Sequence, residues 1–502
     1  MNRRPLAAAA ALAAGALAAP AAPTALPAQP SGGTNLPSDS ASGPSNLAYK
    51  GVRITPVGFF AGEAIYRQRT LESDMPSPFN ALPFTHTAQG QLTEFRGSAR
   101  QSRLGVLAEA RLGRVAAAGY FEGDFLSAGT SSNSNESNSY TFRVRQFFAQ
   151  AAFKNLAATA GQTWSLLTPG RAGAAARGEY VPATIDAQYV PGYSWARQFG
   201  ARLTYRAGPR VTLAAALEEP QTTTSVRGAP DADVRVLVSQ AGAGALNGTT
   251  FYSYDAAPDA VAKVAFDRPG GAHVELKALG RLFRDRIYAA ATPPGGAASN
   301  AGARNFTVAG GGVGASLFVP IRRTVDVGLN ALYGRGVGRY GSGQIADVTL
   351  GARGEVVPIR AAHGLATADL HATPKLDLYA YAGGEYAYRA AAVTAAGAGL
   401  GYGSPLVNNT GCDAEALPAA VNAPAAGVCN ADTRFLAQGT GGFWYRFYRG
   451  RGGTLQFGLQ YSHTERATWS SNATAASAVG GARVQPLATE NMVFSSFRYY
   501  LP

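Results

Sequence analysis

Arg449-Gly450-Arg451-Gly452-Gly453-Thr454-Leu455-Gln456-Phe457-Gly458-Leu459-Gln460-Tyr461-Ser462-His463-Thr464 carries both signals that decide the fold of this chain. Its glycine-rich start predicts a tight turn, because glycine adopts the positive φ that such turns need. The residues after that turn have a period of two. Leu455, Phe457, Leu459 and Tyr461 share one face, and Gln456, Gln460, Ser462 and Thr464 share the other. Successive side chains of a strand point to opposite sides, so this is a strand with one apolar and one polar face.

The same two signals recur from Val52 to Leu501. Periodicity predicts about sixteen strands, at about 51–67, 93–112, 115–127, 140–154, 156–165, 196–207, 210–219, 257–268, 272–286, 305–319, 323–336, 362–373, 375–389, 434–448, 453–466 and 490–501. Tight turns such as Gly113-Arg114, Lys154-Asn155, Gly208-Pro209 and Thr373-Pro374 join each even-numbered strand to the next odd one. Odd-to-even connections are long, at about 68–92, 128–139, 166–195, 220–256, 287–304, 337–361, 390–433 and 467–489. Short turns gathered at one end and long loops at the other describe an all-β, antiparallel up-and-down transmembrane barrel, with short periplasmic turns and long external loops. A soluble sandwich has no reason to segregate its connections. With so many strands and no helices to cover them, the expected arrangement is apolar side out and polar side in.

Composition agrees. Hydrophobic residues make up 46% of the 502, yet mean hydropathy is only -0.06. No apolar run long enough for a spanning helix follows the N-terminus. Strands can cross with half as many apolar residues, since only alternate side chains meet lipid. Met1-Asn2-Arg3-Arg4, the apolar run from Leu6 to Ala19 and the small residues after it describe a signal peptide over 1–27. A Pro/Ser/Gly-rich stretch at 28–49 reads as a flexible periplasmic lead-in, and 50–502 as the barrel. Cys412 and Cys429 lie in one long external loop; an oxidising compartment would join them, stabilising the loop by about 3 kcal/mol in the chain-entropy model.

Net charge is +13, carried by dispersed arginines rather than one patch, which fits a positive lumen better than nucleic-acid binding. Arg103, Glu109 and Arg111 share a face; Glu122 and Asp124 share the next; Arg143 and Arg145 share the third, with Arg202 and Arg206 extending the basic side. Two readings compete: cross-strand ion pairs that brace the wall, or unpaired arginines lining a constriction that favours anions. The third external loop, 166–195, is the candidate constriction loop, with Arg171, Arg177, Glu179, Tyr180 and Asp186; about thirty residues without secondary structure usually signify function.

Catalytic and cofactor signals are poor. His86, His273, His363, His371 and His463 show no metal-ligand spacing. Gly336-Val337-Gly338-Arg339-Tyr340-Gly341 matches a dinucleotide fingerprint by letters only and reads as a glycine-rich rim. Neither enzyme chemistry, cofactor nor metal is expected. The alternatives to a channel are a barrel enzyme of lipase or protease type, or a surface adhesin presenting the disulfide-closed loop.

Gln101-Ser102-Arg103-Leu104-Gly105, Phe121-Glu122-Gly123-Asp124-Phe125, Phe142-Arg143-Val144-Arg145-Gln146 and Gly161-Gln162-Thr163-Trp164-Ser165 resemble the outer-membrane porins of Gram-negative bacteria, and among them the DcaP-like trimeric porins. Gly441-Gly442-Phe443-Trp444-Tyr445-Arg446 and Phe497-Arg498-Tyr499-Tyr500 are similar to the same type. The resemblance implies a sixteen-strand barrel in the bacterial outer membrane, assembled as a homotrimer and passing small anionic or polar solutes. Residues 28–48 lack heptads, a departure from the family's coiled-coil stalk. The amphipathic stretch from Met492 to Leu501 resembles the terminal signal read by the barrel insertion machinery, although Tyr500-Leu501-Pro502 replaces the usual final Phe or Trp.

Overall fold

The computed structural model describes residues 47–127, 140–237, 254–289, 300–322, 324–409, 411–415, 429–472 and 483–502. The expected signal segment and the lead-in up to residue 46 lie outside the described residues. At Leu47–Tyr49 the chain already pairs with the first long strand, so the stretch expected to be flexible ends in a hairpin.

Sixteen long strands make up the wall: β1 (Val52–Arg67), β2 (Arg103–Leu112), β3 (Val115–Asp124), β4 (Arg143–Phe153), β5 (Leu156–Trp164), β6 (Arg197–Arg206), β7 (Val211–Glu218) and β8 (Asp259–Asp267). The second half gives β9 (His273–Ala289), β10 (Arg304–Ile321), β11 (Val325–Arg335), β12 (Arg360–Thr373), β13 (Leu376–Ala387), β14 (Thr433–Gly450), β15 (Gly453–Thr468) and β16 (Leu487–Tyr500). A short stretch, Glu94–Ser98, extends β2 along β1. Each strand pairs antiparallel with the next, and β16 returns to β1 from Phe59↔Tyr500 to Arg67↔Met492, closing the cylinder. Closure satisfies every strand edge, which hydrocarbon demands because it offers no hydrogen bonds. No helix among the described residues is long and apolar enough to cross a membrane.

The tight turns carry backbone that ordinary residues avoid: Gly113 sits at φ 61°, while Lys154 and Arg322 hold φ 52° and 51°. Positive φ matches the twist of the flanking strands in two-residue hairpins.

The wall has the inverted polarity. In β15, Gln456, Gln460, Ser462 and Thr464 are buried, while Leu459 and Tyr461 are exposed. Leu203, Leu217, Leu276, Val313 and Leu329 are likewise exposed on the outer surface of their strands. Soluble monomers rarely show such a continuous apolar face. In a bilayer each Å² of it withdrawn from water contributes roughly 25 cal/mol.

One expectation needs correction, and two further features come from the structure alone. Phe147 faces outward, but Phe148 beside it points inward against Tyr120, with ring centroids 5.6 Å apart. The cause is a register shift opposite Glu122 and Gly123, which turns both Arg145 and Gln146 inward and resets the alternation. Interior charge extends beyond the rows on β2, β3 and β4: Asp259, Lys263, Glu275, Lys277 and Arg281 of β8 and β9 are all buried inside. The glycine-rich segment 336–341 does not form a rim. It folds inward as a short 3-10 turn whose Tyr340 and Arg339 reach Asp259, at 2.7 and 3.0 Å.

Cys412 and Cys429 are joined, with an S–S distance of 2.09 Å. The bridge packs with Leu82, Phe84 and Ala488 in a small apolar cluster at the external end.

Candidate permeation site

Residues 166–195 enter the barrel and cross it. Inward-pointing wall side chains accept the segment's backbone N–H groups, an arrangement that strand alternation supplies without further design. Leu166 N donates to Glu218 of β7 at 2.7 Å and Gly170 N to Glu275 of β9 at 3.1 Å. Gly192 N donates to Glu385 of β13 at 2.9 Å, and Trp444 of β14 donates its indole N–H to Ala183 O at 2.8 Å. Gln460 of β15 accepts from Ile185 N. The segment lies so close to the wall at Gly192 that a Cβ there would stand 2.0 Å from Gly364 O.

The charged residues of this segment serve as its anchors. Arg171 lies between Asp326 and Asp369, at 3.6 and 3.7 Å, with its guanidinium carbon 4.7 Å above the Phe318 ring. Arg177 stacks on Tyr120. Glu179 pairs with Arg202 at 3.4 Å, and Tyr180 shares Asp369. Asp186 is fully buried; its Oδ1 accepts from Ser77 N at 3.2 Å and Gln188 N at 2.8 Å, while Oδ2 has no partner.

Burial pushes the Asp186 carboxyl up to about 6, against those two N–H groups and Arg67, which lower it. A value above the ordinary carboxylate range means that the contribution to folding is complete below about pH 4 and is lost as pH rises through about 6. Two units correspond to about 3 kcal/mol. Asp186→Asn keeps the Oδ1 acceptor and removes the charge. Its amides at 183–193 should be protected like the wild type's at pH 4.5 and more strongly at pH 7.5, in hydrogen exchange corrected for intrinsic rates. Equal protection at both pH values would show that this carboxyl does not titrate against the segment.

The predicted charge rows come together only in part. Asp124 accepts a two-pronged contact from Arg143, both bonds 2.8 Å, and a third from Arg145 at 2.7 Å. Glu122 accepts from Arg145 and from Tyr120 OH, each at 2.8 Å, with Arg103 at 3.7 Å. Arg143 and Arg145 therefore brace the wall as well as charging it. Glu109 pairs instead with Arg53, at 3.2 Å, and Arg111 stands exposed near the periplasmic end of β2, outside the cluster.

The residue that the sequence pattern does not single out is Arg197, at the start of β6. Its guanidinium carbon lies 5.0 Å above the Trp164 ring and 5.2 Å above Trp195. Among the described residues it has no carboxylate within ion-pair distance, and its Nη1 has no hydrogen-bond partner. Tyr189 reports the local field: burial would raise its phenol, yet Arg145, Arg197 and Arg103 together hold it below the usual value. Four guanidiniums (Arg103, Arg143, Arg145, Arg197) thus face two carboxylates, Glu122 and Asp124. Water reaches this side of the lumen, since Arg143 is 35% and Arg103 24% exposed. The β13–β14 side is filled by packed Tyr379, Tyr381 and Leu436.

Other inward segments complete the filling. Met75, Phe79 and Leu82 of the first external loop are buried. Residues 338–342 zip onto 193–195, with Trp195 N donating to Tyr340 O at 2.8 Å and its indole N–H to Ser342 Oγ at 3.0 Å. The histidines stay apart: His273 lies between Asp267 and Glu275, His371 between Asp326 and Asp377, and His463 against Asn491.

No protein-family model and no curated protein matches this chain. Among solved structures, the outer membrane channel DcaP of Acinetobacter baumannii is similar over 91% of this chain and 100% of its own, at 16% identity and a TM-score of 0.60. An anion-selective porin from Comamonas acidovorans (11% identity, 90% of this chain and 100% of that one, TM-score 0.44) is similar more distantly. So is the trimer form of OmpT from Vibrio cholerae, with the same identity, coverage and TM-score. At these identities the likeness to DcaP establishes the fold, that of an outer-membrane barrel, and the lipid-facing apolar wall agrees with it.

Proposed function

We propose that this outer-membrane barrel is a passive diffusion channel for small hydrophilic solutes, with a preference for anions. The observation that carries the reading is the excess of guanidinium over carboxylate beside the constricting segment, with Arg197 in no ion pair among the described residues. Fixed cations in a narrow, partly dehydrated passage lower the free energy of an anion there and raise that of a cation. The periplasmic mouth adds to the same field, because the tight turns hold exposed Arg114, Lys154, Arg210, Arg268, Arg322 and Arg451.

A homotrimer fits the outer surface. The lipid-facing side of β2 to β9 is lined by small residues, among them Ala110, Gly119, Ala151, Ala160, Ala215 and Ala262, around an apolar hollow of about 1160 Å³. Small side chains let two walls approach closely where no hydrophobic drive exists between them.

One experiment tests both parts. Purified protein in planar bilayers under a potassium chloride gradient should give a reversal potential of anion-selective sign, with conductance inserted in sets of three equal steps. A cation-selective potential would sink the selectivity assignment, and single isolated steps would sink the trimer.

A further inference from the structure

Lipid-facing positions change character abruptly near the external ends of β9 to β12. Along β11 the outward side chains run Val327, Leu329, Ala331, Tyr333 and then Arg335; along β12 they run Leu370, Ala368, Ala366 and, at the external end, Arg360. β9 does the same, with Leu276, Ala278 and Leu282 followed by Arg284 and Arg286, while Asp285 between those two points inward and is buried. These four arginines occupy the outer surface, away from the lumen and its constriction.

Arg335 and Arg360 are direct cross-strand partners, and both are exposed. Like charges placed opposite each other on a sheet are destabilising. Among the described residues neither has a carboxylate within ion-pair distance, and the same holds for Arg284 and Arg286. The external connections 238–253 and 290–303 beside them contain no Asp or Glu. Among the described residues Arg335 and Arg360 thus stand opposed without a carboxylate partner, which leaves them open to a matching charge from outside the chain.

Aromatic rings set the arginines in place. The Arg360 guanidinium carbon lies 4.1 Å above the Tyr388 ring, which in turn meets Tyr333 edge-on at 6.5 Å. Arg286 donates to Asn305 at 3.0 Å and lies over Tyr288. An arginine fork beside tyrosines, at the level where the wall ceases to be apolar, has the chemistry that receives phosphate at a membrane surface.

We infer that Arg335 and Arg360 form a docking surface on the outer wall for the phosphate-bearing headgroups of the external leaflet's glycolipid. A phosphate between the opposed guanidiniums converts a repulsive pair into two charge-assisted contacts. The surface is independent of the pore, so its failure would leave the channel reading intact.

The test uses the full chain in detergent and native mass spectrometry with lipid A, the same lipid freed of its phosphates, and inorganic phosphate as competitor. Wild type should retain lipid A and not the dephosphorylated lipid. Arg335→Gln with Arg360→Gln should bind it more than about tenfold more weakly, since each basic side chain near a lipid surface is worth about 1 kcal/mol. Arg206→Gln, at the periplasmic end of β6, should leave lipid A retention unchanged. Unaltered binding by the double variant, or equal retention of the two lipids, would overturn the inference. Displacement by millimolar inorganic phosphate would also overturn it, by assigning the site to free anion. Unchanged single-channel conductance confirms that a variant barrel has folded. If that double variant fails to fold, the single variants Arg335→Gln and Arg360→Gln are read by the same outcomes.

Discussion

Arg197→Glu should lower the ratio of anion to cation permeability about tenfold in planar bilayers while leaving the barrel folded. Two units of charge about 6 Å from a passing ion raise an anion by about 1.4 kcal/mol at the dielectric of water and lower a cation by as much. Screening over a Debye length of about 8 Å roughly halves the combined effect, to about 1.4 kcal/mol or a factor of ten in the ratio. The substitution is tolerable because Arg197 gives up no ion pair among the described residues, and the new carboxylate lies beside Arg145 and near Arg143 and Arg103. Reversing Arg143 and Arg145 together is the poorer experiment. Asp124 is fully buried and Glu122 nearly so, and breaking a buried pair typically costs 3–5 kcal/mol by leaving a charge uncompensated. A permeability ratio unmoved by Arg197→Glu would place the selective passage elsewhere in the lumen.

Replacing residues 171–192 by a short Gly/Ser linker should raise single-channel conductance several-fold, because the stretch fastened to β13, β14 and β15 is then removed from the lumen. The same change withdraws the Gly192 N–H that Glu385 accepts, and the Arg171 partner of Asp326 and Asp369. Thermal stability should therefore fall alongside the gain in conductance. Conductance equal to the wild type's would mean that residues 171–192 do not bound the passage.

The two variants act on different quantities. Arg197→Glu changes which ion passes at nearly constant size of passage, whereas the linker changes how much passes and weakens discrimination only through widening. Measured side by side, they separate the electrostatic role of the wall from the steric role of the segment.

Strand positions, the order of turns and loops, the inversion of polarity and the Cys412–Cys429 bridge were all legible in the chain. They depend on period and punctuation, which are local. Arg143 and Arg145 were legible as inward residues too, but their partners were not. Pairing depends on register, and the register shift that turns Arg145 and Gln146 both inward leaves no mark in the letters.

By itself, the sequence determined a closed cylinder with lipid outside and polar groups within, because side-chain alternation and turn chemistry act over neighbouring residues. Only tertiary structure decided what fills that cylinder: that 166–195 crosses it, that 338–342 joins that segment rather than forming a rim, and that Arg197 stands beside two tryptophans without a carboxylate. Those arrangements join residues from distant strands around a ring. Their energies depend on which side chains closure brings face to face, which no local pattern encodes.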